Sequence, residues 1–147
     1  MAQRSTLTSK ECDFVQRQRV ARLATADMEG HPTLIPVCYA FDGEHFYTPL
    51  DEKPKHVPVT QLQRVRNILA RHEASLLIDH YSEDWSQLGY LLIHAHADLL
   101  FPPAERHSLA LRLLHERYVQ YQTMNLEQNA VIVLTPKRIQ AWGSVVL

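Results

Sequence analysis

Three groups of residues in this 147-residue chain could do chemistry. The first is Lys53-Pro54-Lys55. Two cations suit a phosphate, with lysine acting as a point charge. Pro54 stiffens the loop and lowers the cost of ordering it on binding. On spacing alone, the same residues also make an ordinary solvated turn. The second group is His94-x-His96, with Asp98 in the same alternation. On a strand these share one face, and the two imidazoles stand about 7 Å apart. His80 lies on a possible neighbouring strand. Such a face could hold a divalent metal, line a ligand pocket, or serve structure or an interface. No local ligand spacing completes a metal set, so no metal is assigned. The third group, Asp79-His80-Tyr81, fails as an acid–base relay because adjacent strand residues point to opposite faces.

Other chemistries find no support. Cys38 has no base beside it and Cys12 is remote, so both read as reduced, buried thiols. With four glycines, the chain has no G-x-S-x-G, no G-x-G-x-x-G and no glycine loop to cradle phosphate. No catalytic side chain is assigned. A net charge of −1 gives no global field toward nucleic acid or an anionic membrane. Nine histidines would turn the charge positive in mild acid. No apolar run approaches the ~18–20 residues of a membrane span, and the first residues lack a signal-peptide core. The expectation is one cytoplasmic domain over residues 1–147, of ordinary composition at 46% hydrophobic and 21% charged.

The elements that must position these groups follow from periodicity. Thr8 and Glu11 form a capping box, so a short helix starts there. Strands are expected over residues 20–25, 33–41 and 44–50, joined by a turn at 27–30 and a hairpin at Asp42-Gly43. Small and β-branched residues make this segment a flat apolar wall with the basic loop at its edge, a shape for a ring carrying a phosphate. Leu62, Val65, Ile68 and Leu69 have helical spacing. Residues 74–81 read as a buried strand. Residues 88–101 alternate, with Tyr90, Leu92, His94, His96 and Asp98 opposite Leu91, Ile93, Ala95 and Ala97. Pro102-Pro103 starts a helix whose stripe is Ala110, Leu113, Leu114, Tyr118 and Tyr121. Strands at 130–134 and 139–142 close the chain around Pro136-Lys137-Arg138. This order is too antiparallel for a βαβ fold and fits a small, mainly β (α+β) barrel with helices outside.

The strings RLATAD, GHPTLIPV, DGEHFYT, KPK, RNI, LIDHY and EDW occur in that order between residues 19 and 98. Together they resemble the flavin-binding split-barrel superfamily of pyridoxamine 5′-phosphate oxidase. Within it the chain looks most like the small oxidoreductases that use the deazaflavin coenzyme F420. The resemblance implies a six- to seven-stranded antiparallel split β-barrel with flanking helices, dimerised with cofactor sites at the interface. It implies FMN or coenzyme F420 as cofactor and hydride transfer to or from a small organic substrate. The ring would lie along Thr33, Leu34, Ile35, Pro36 and Val37, with the Val37 N–H facing its reactive edge. Thr48, Lys53 and Lys55 would hold phosphate, and Asn67 would lie near the coenzyme tail. Tyr90 would contact the ring, while Trp85, with Trp142, would close the site from the second subunit.

Two departures from the pattern matter. Basic residues that clamp a pyridoxal phosphate substrate have no equivalents, which argues against vitamin B6 oxidation. Leu92 and His94 stand where the deazaflavin branch often carries arginines. A rival reading is a haem- or apolar-ligand-binding split barrel without turnover, its axial ligand drawn from the histidine-rich face of residues 90–98.

Overall fold

The computed structural model describes residues 3–50 and 62–146. Lys53 and Lys55 fall outside the described residues. Helix α1 (Ser9–Arg17) begins with the expected capping box: the Glu11 N–H donates to Thr8 Oγ1, and the Thr8 N–H donates to Glu11 Oε1. Arg4 then grips the buried Glu11 carboxylate with both guanidinium nitrogens, at 2.6 and 2.9 Å. The orphan carbonyls at the other end of α1 are met by distant groups. Tyr39 Oη donates to the carbonyls of Val15 and Gln18, and the Arg117 guanidinium donates to those of Val15, Gln16 and Gln18.

Among the described residues, seven antiparallel strands form one sheet in the order β2-β1-β5-β6-β7-β4-β3. They are β1 (Ala21–Ala26), β2 (Pro32–Val37), β3 (Ala40–Phe41), β4 (Phe46–Pro49), β5 (Glu73–His80), β6 (Gly89–Leu100) and β7 (Val131–Gly143). The edge strands β2 and β3 are separated in the chain by Cys38 and Tyr39 alone. Two residues reach no further than about 10 Å, so the sheet must curl until its edges nearly meet. The result is a split barrel. Its interior holds Phe14, Leu23, Phe46, Ile68, Leu76, Ile78, Leu91, Ile93 and Ile132. Helix α2 (Gln63–Arg71) plugs one end through Val65 and Ile68.

The structure corrects four expectations. The single strand expected at 33–41 breaks at Cys38-Tyr39, because Tyr39 turns inward to a buried corner. There its N–H donates to Tyr118 Oη and its hydroxyl binds the end of α1. The two expected C-terminal strands are one, β7, carrying a bulge: His94 faces Arg138 while Ala95 faces Pro136, and Lys137 has no opposite residue. That extra residue keeps Ile139 inside and Arg138, Gln140 and Trp142 outside. Helix α3 (Glu105–Arg117) starts after the Pro102-Pro103 pair, and Tyr118 and Tyr121 lie beyond its end, Tyr121 in the 3-10 turn Val119–Thr123. Cys12 and Cys38 are free thiols as expected, but half-buried. Burial raises the Cys12 thiol pKa, with help from Asp13 and Glu11.

The outer surface of the sheet is treated unequally. Helix α3 covers β3, β4 and the start of β7 with Ala110, Leu111 and Leu114 against Ala40, Tyr47, Val131 and Val133. Across β1, β5, β6 and the end of β7, the described residues provide no covering helix. Gly143 closes this half: at φ 79°, with its Cα side against the Leu88 carbonyl oxygen, it admits no Cβ.

Candidate functional site

On the uncovered half lies an open cleft of about 790 Å³, within the range of small-molecule sites. Its floor comes from Ala24 and Ala26 of β1, Ser75 of β5 and His94 and His96 of β6. Pro32, Arg71, His72, Glu73 and Lys137 form its rim. The register explains the floor: Leu34, Ala24, Ser75, His94 and Arg138 stand opposite one another across five neighbouring strands.

His94 is the best-defined polar group on the floor. Its Nδ1 lies 2.9 Å from Ser75 Oγ. Desolvation, then the positive charge of Arg138, lowers its pKa below the ordinary histidine value. Both favour the neutral imidazole; Nδ1 is engaged by Ser75, and Nε2 has no hydrogen-bond partner among the described residues. Opposite it, the buried Nε of Arg138 has no hydrogen-bond partner among the described residues. Buried polar groups are almost always satisfied, so this donor marks a place for an acceptor. Arg71 at the rim donates to the Asp27 carbonyl oxygen and approaches Glu73 at 3.4 Å.

The expected residues distribute as follows. Thr33, Ile35, Pro36 and Val37 all lie on the edge strand β2, with Ile35 and Val37 packed toward the core and Pro36 exposed. Asn67 is buried beneath the cleft: its Nδ2 donates to Thr25 Oγ1 at 3.0 Å, and its Oδ1 accepts from Gln63. Thr48 is 2% exposed on β4 and does not line the cleft. Tyr90 and Trp142 stack at 5.8 Å on the same outer face, at its far end. Trp85 sits on the 3-10 turn between β5 and β6 and is 71% exposed. His80 pairs with Gly89, five rungs from the Ser75–His94 pair, so it does not join His94 and His96. The neighbour of His96 is His72, whose ring stacks on it at 5.8 Å.

Sequence reading missed Lys137, Arg71 and His72 as cleft residues, and Arg138 as the residue opposite His94. For Arg138 the signal was available: a proline inside an alternating run marks a bulge, and the bulge re-aims its successors.

Comparison with known proteins agrees with this geometry. The sequence matches the pyridoxamine 5′-phosphate oxidase family over residues 7–143. A search of curated proteins finds no match. Among solved structures, the haem storage protein HutZ from Vibrio cholerae is similar at 16% identity, with 94% of each chain covered and a TM-score of 0.70. The conserved hypothetical protein Rv2991 from Mycobacterium tuberculosis is similar at 20% identity and a TM-score of 0.74, covering 99% of this chain and 92% of that one. A haem-binding protein from Mycobacterium smegmatis is similar at 18% identity and a TM-score of 0.73, covering 91% of this chain and 52% of that one. At these identities the structural likeness speaks for the fold, and the sequence match speaks for the family. The chain, a split barrel with an open cleft across its uncovered sheet face, belongs to the pyridoxamine 5′-phosphate oxidase family.

Proposed function

We propose that the chain is a homodimeric oxidoreductase that binds a flavin-type ring, FMN or coenzyme F420, and transfers hydride to or from a small organic substrate. The observation that supports it most is Arg138, a half-buried cation whose buried Nε has no partner among the described residues, opposite His94 of the ring-sized cleft. Arg138, Lys137 and Arg71 suit the anionic tail of such a cofactor, and they stand in for the arginines missing at Leu92 and His94. Thr33, Ile35, Pro36 and Val37 would carry the ring. Prolines on an edge strand turn their nitrogens away from the ladder. Leu34 shares the parity of Pro32 and Pro36 in the β1–β2 register. Leu34, ahead of Val37, is then the residue whose N–H faces outward, able to stabilise charge at the ring's polar edge. Thr48, Lys53 and Lys55 would hold the phosphate, Asn67 would fix Thr25 under the tail, and Tyr90 with Trp85 and Trp142 would close the site from a second copy.

The bound cofactor supplies the hydride chemistry; the protein binds it, orients it and excludes water. The visible spectrum of the purified protein tests the proposal. A flavin or deazaflavin band is expected. A colourless protein that takes up neither cofactor when offered both would overturn it.

A second reading rests on His94. A neutral imidazole with Nδ1 held by Ser75 and Nε2 free is the form that ligates haem iron. Haem addition separates the readings: a Soret band that disappears in His94→Ala favours haem, and one that persists removes His94 as its ligand.

A further inference from the structure

We infer that His72, His96 and Asp98 form a binding site for a divalent first-row transition ion at the rim of the cleft. The ligand atoms of these three residues lie within 4.8 Å of one another. His72 Nδ1 is 3.9 Å from Asp98 Oδ1, and the rings of His72 and His96 are nearly parallel, 9° apart. Two donors on one tetrahedral ion bound at about 2.1 Å stand roughly 3.4 Å apart. The observed set is slightly wider than that, and side-chain rotation of three exposed groups closes it.

The backbone holds the set in place from one strand and a helix end. His96 and Asp98 share the outer face of β6 by alternation. His72 comes from the junction of α2 and β5, where its backbone is left-handed at φ 56°. It is the one non-glycine residue with positive φ among the described residues. Such a conformation costs on the order of 1 kcal/mol for a side chain that glycine or asparagine would spare. Hydrogen bonds on both sides clamp it there: the His72 N–H donates to the Ile68 carbonyl, and the Ala97 N–H donates to the His72 carbonyl. The clamp sets His72 beside His96, which is the arrangement a shared ion requires.

The donors are also available. Asp98 Oδ1 accepts from the Leu99 N–H, leaving Oδ2 free of the strand. Among the described residues, the hydrogen-bond partner of His72 Nδ1 is the Ala97 carbonyl oxygen, at a long 3.3 Å that an ion would replace. Two imidazoles and one carboxylate match zinc and its first-row neighbours, and leave coordination positions open. Because His72 and His96 line the cleft, those positions face it and could take an anionic oxygen of a molecule bound there.

The test uses the full chain, freed of metal with chelator and carrying no organic cofactor, so it does not depend on the flavin reading. Zn²⁺ is titrated by calorimetry and Co²⁺ by its ligand-field absorption at neutral pH. The expected result is one ion per chain, with affinity reduced about tenfold or more in each of His72→Gln, His96→Gln and Asp98→Asn. Melting temperature without metal should stay near wild type, since all three side chains are exposed. Absence of saturable binding at micromolar protein overturns the proposal. So does binding that all three variants retain, which would place the ion on other residues.

Discussion

The two halves of the sheet's outer face obey different rules. Under α3, the sheet presents Ala40, Tyr47, Val131 and Val133, and the helix returns Ala110, Leu111 and Leu114, all buried. Beyond the bulge at Lys137, β1, β5, β6 and the end of β7 present Ala24, Ser75, His94, Arg138, Tyr90 and Trp142, none of them buried. One sheet, with one alternation, is closed and apolar at one end and open and polar-aromatic at the other. A covered half stabilises the fold. An uncovered half that keeps a neutral histidine and an unsatisfied arginine is arranged for something else, and the difference predicts which property each substitution should touch.

The largest effect belongs to the covered half. Leu114→Ala removes a fully buried side chain beneath α3 and should cost about 2–5 kcal/mol in denaturant unfolding, with cofactor affinity unchanged per folded molecule. A change in affinity larger than the change in stability would erase the division. Next is Tyr118→Phe. Its hydroxyl accepts from the buried Tyr39 N–H and donates to the Arg19 and Tyr39 carbonyls. Leaving that N–H unanswered should cost about 1–3 kcal/mol in the same experiment. On the binding side, replacing both Lys53 and Lys55 with Ala should raise the cofactor Kd about tenfold, about 1.4 kcal/mol, with the melting temperature held. An unchanged Kd would remove the basic loop from the site.

The smallest effect is in the pH dependence. His94 has a lowered pKa in the folded chain, from desolvation and then Arg138. Its neutral form is favoured by folding, so its contribution is full above the ordinary value of 6.5 and is lost as pH falls below it. His94→Gln should flatten the fall in melting temperature just below that pH. A slope identical to wild type would show that another group sets it.

Much of this contrast was legible in the sequence. The alternation of residues 88–101 assigned the outer and inner faces of β6 correctly, and Thr8 with Glu11 marked the start of α1. Local signals of period and capping are sufficient for such elements. What local pattern could not give was the closure at Cys38-Tyr39, because Tyr39 is held by Tyr118 and the end of α1, far away in the chain. The same limit applied to the site. His94 and His96 were found, but their partners were assigned to the wrong strand position: His80 lies opposite Gly89, while Ser75 and His72 meet the two histidines. Register and a helix terminus decide those pairings, and neither is written in a single segment. Arg138 was read as part of a turn for the same reason, since its direction depends on the bulge that precedes it.

The central claim is that the uncovered half is a cofactor face. Its most direct test is a titration of ligand-free protein with FMN and with coenzyme F420, in wild type and in Arg138→Gln. The account predicts saturable binding of one cofactor by the wild type and weaker binding by the variant, with both proteins folded. Binding of neither cofactor, or equal binding by the two proteins, would contradict it.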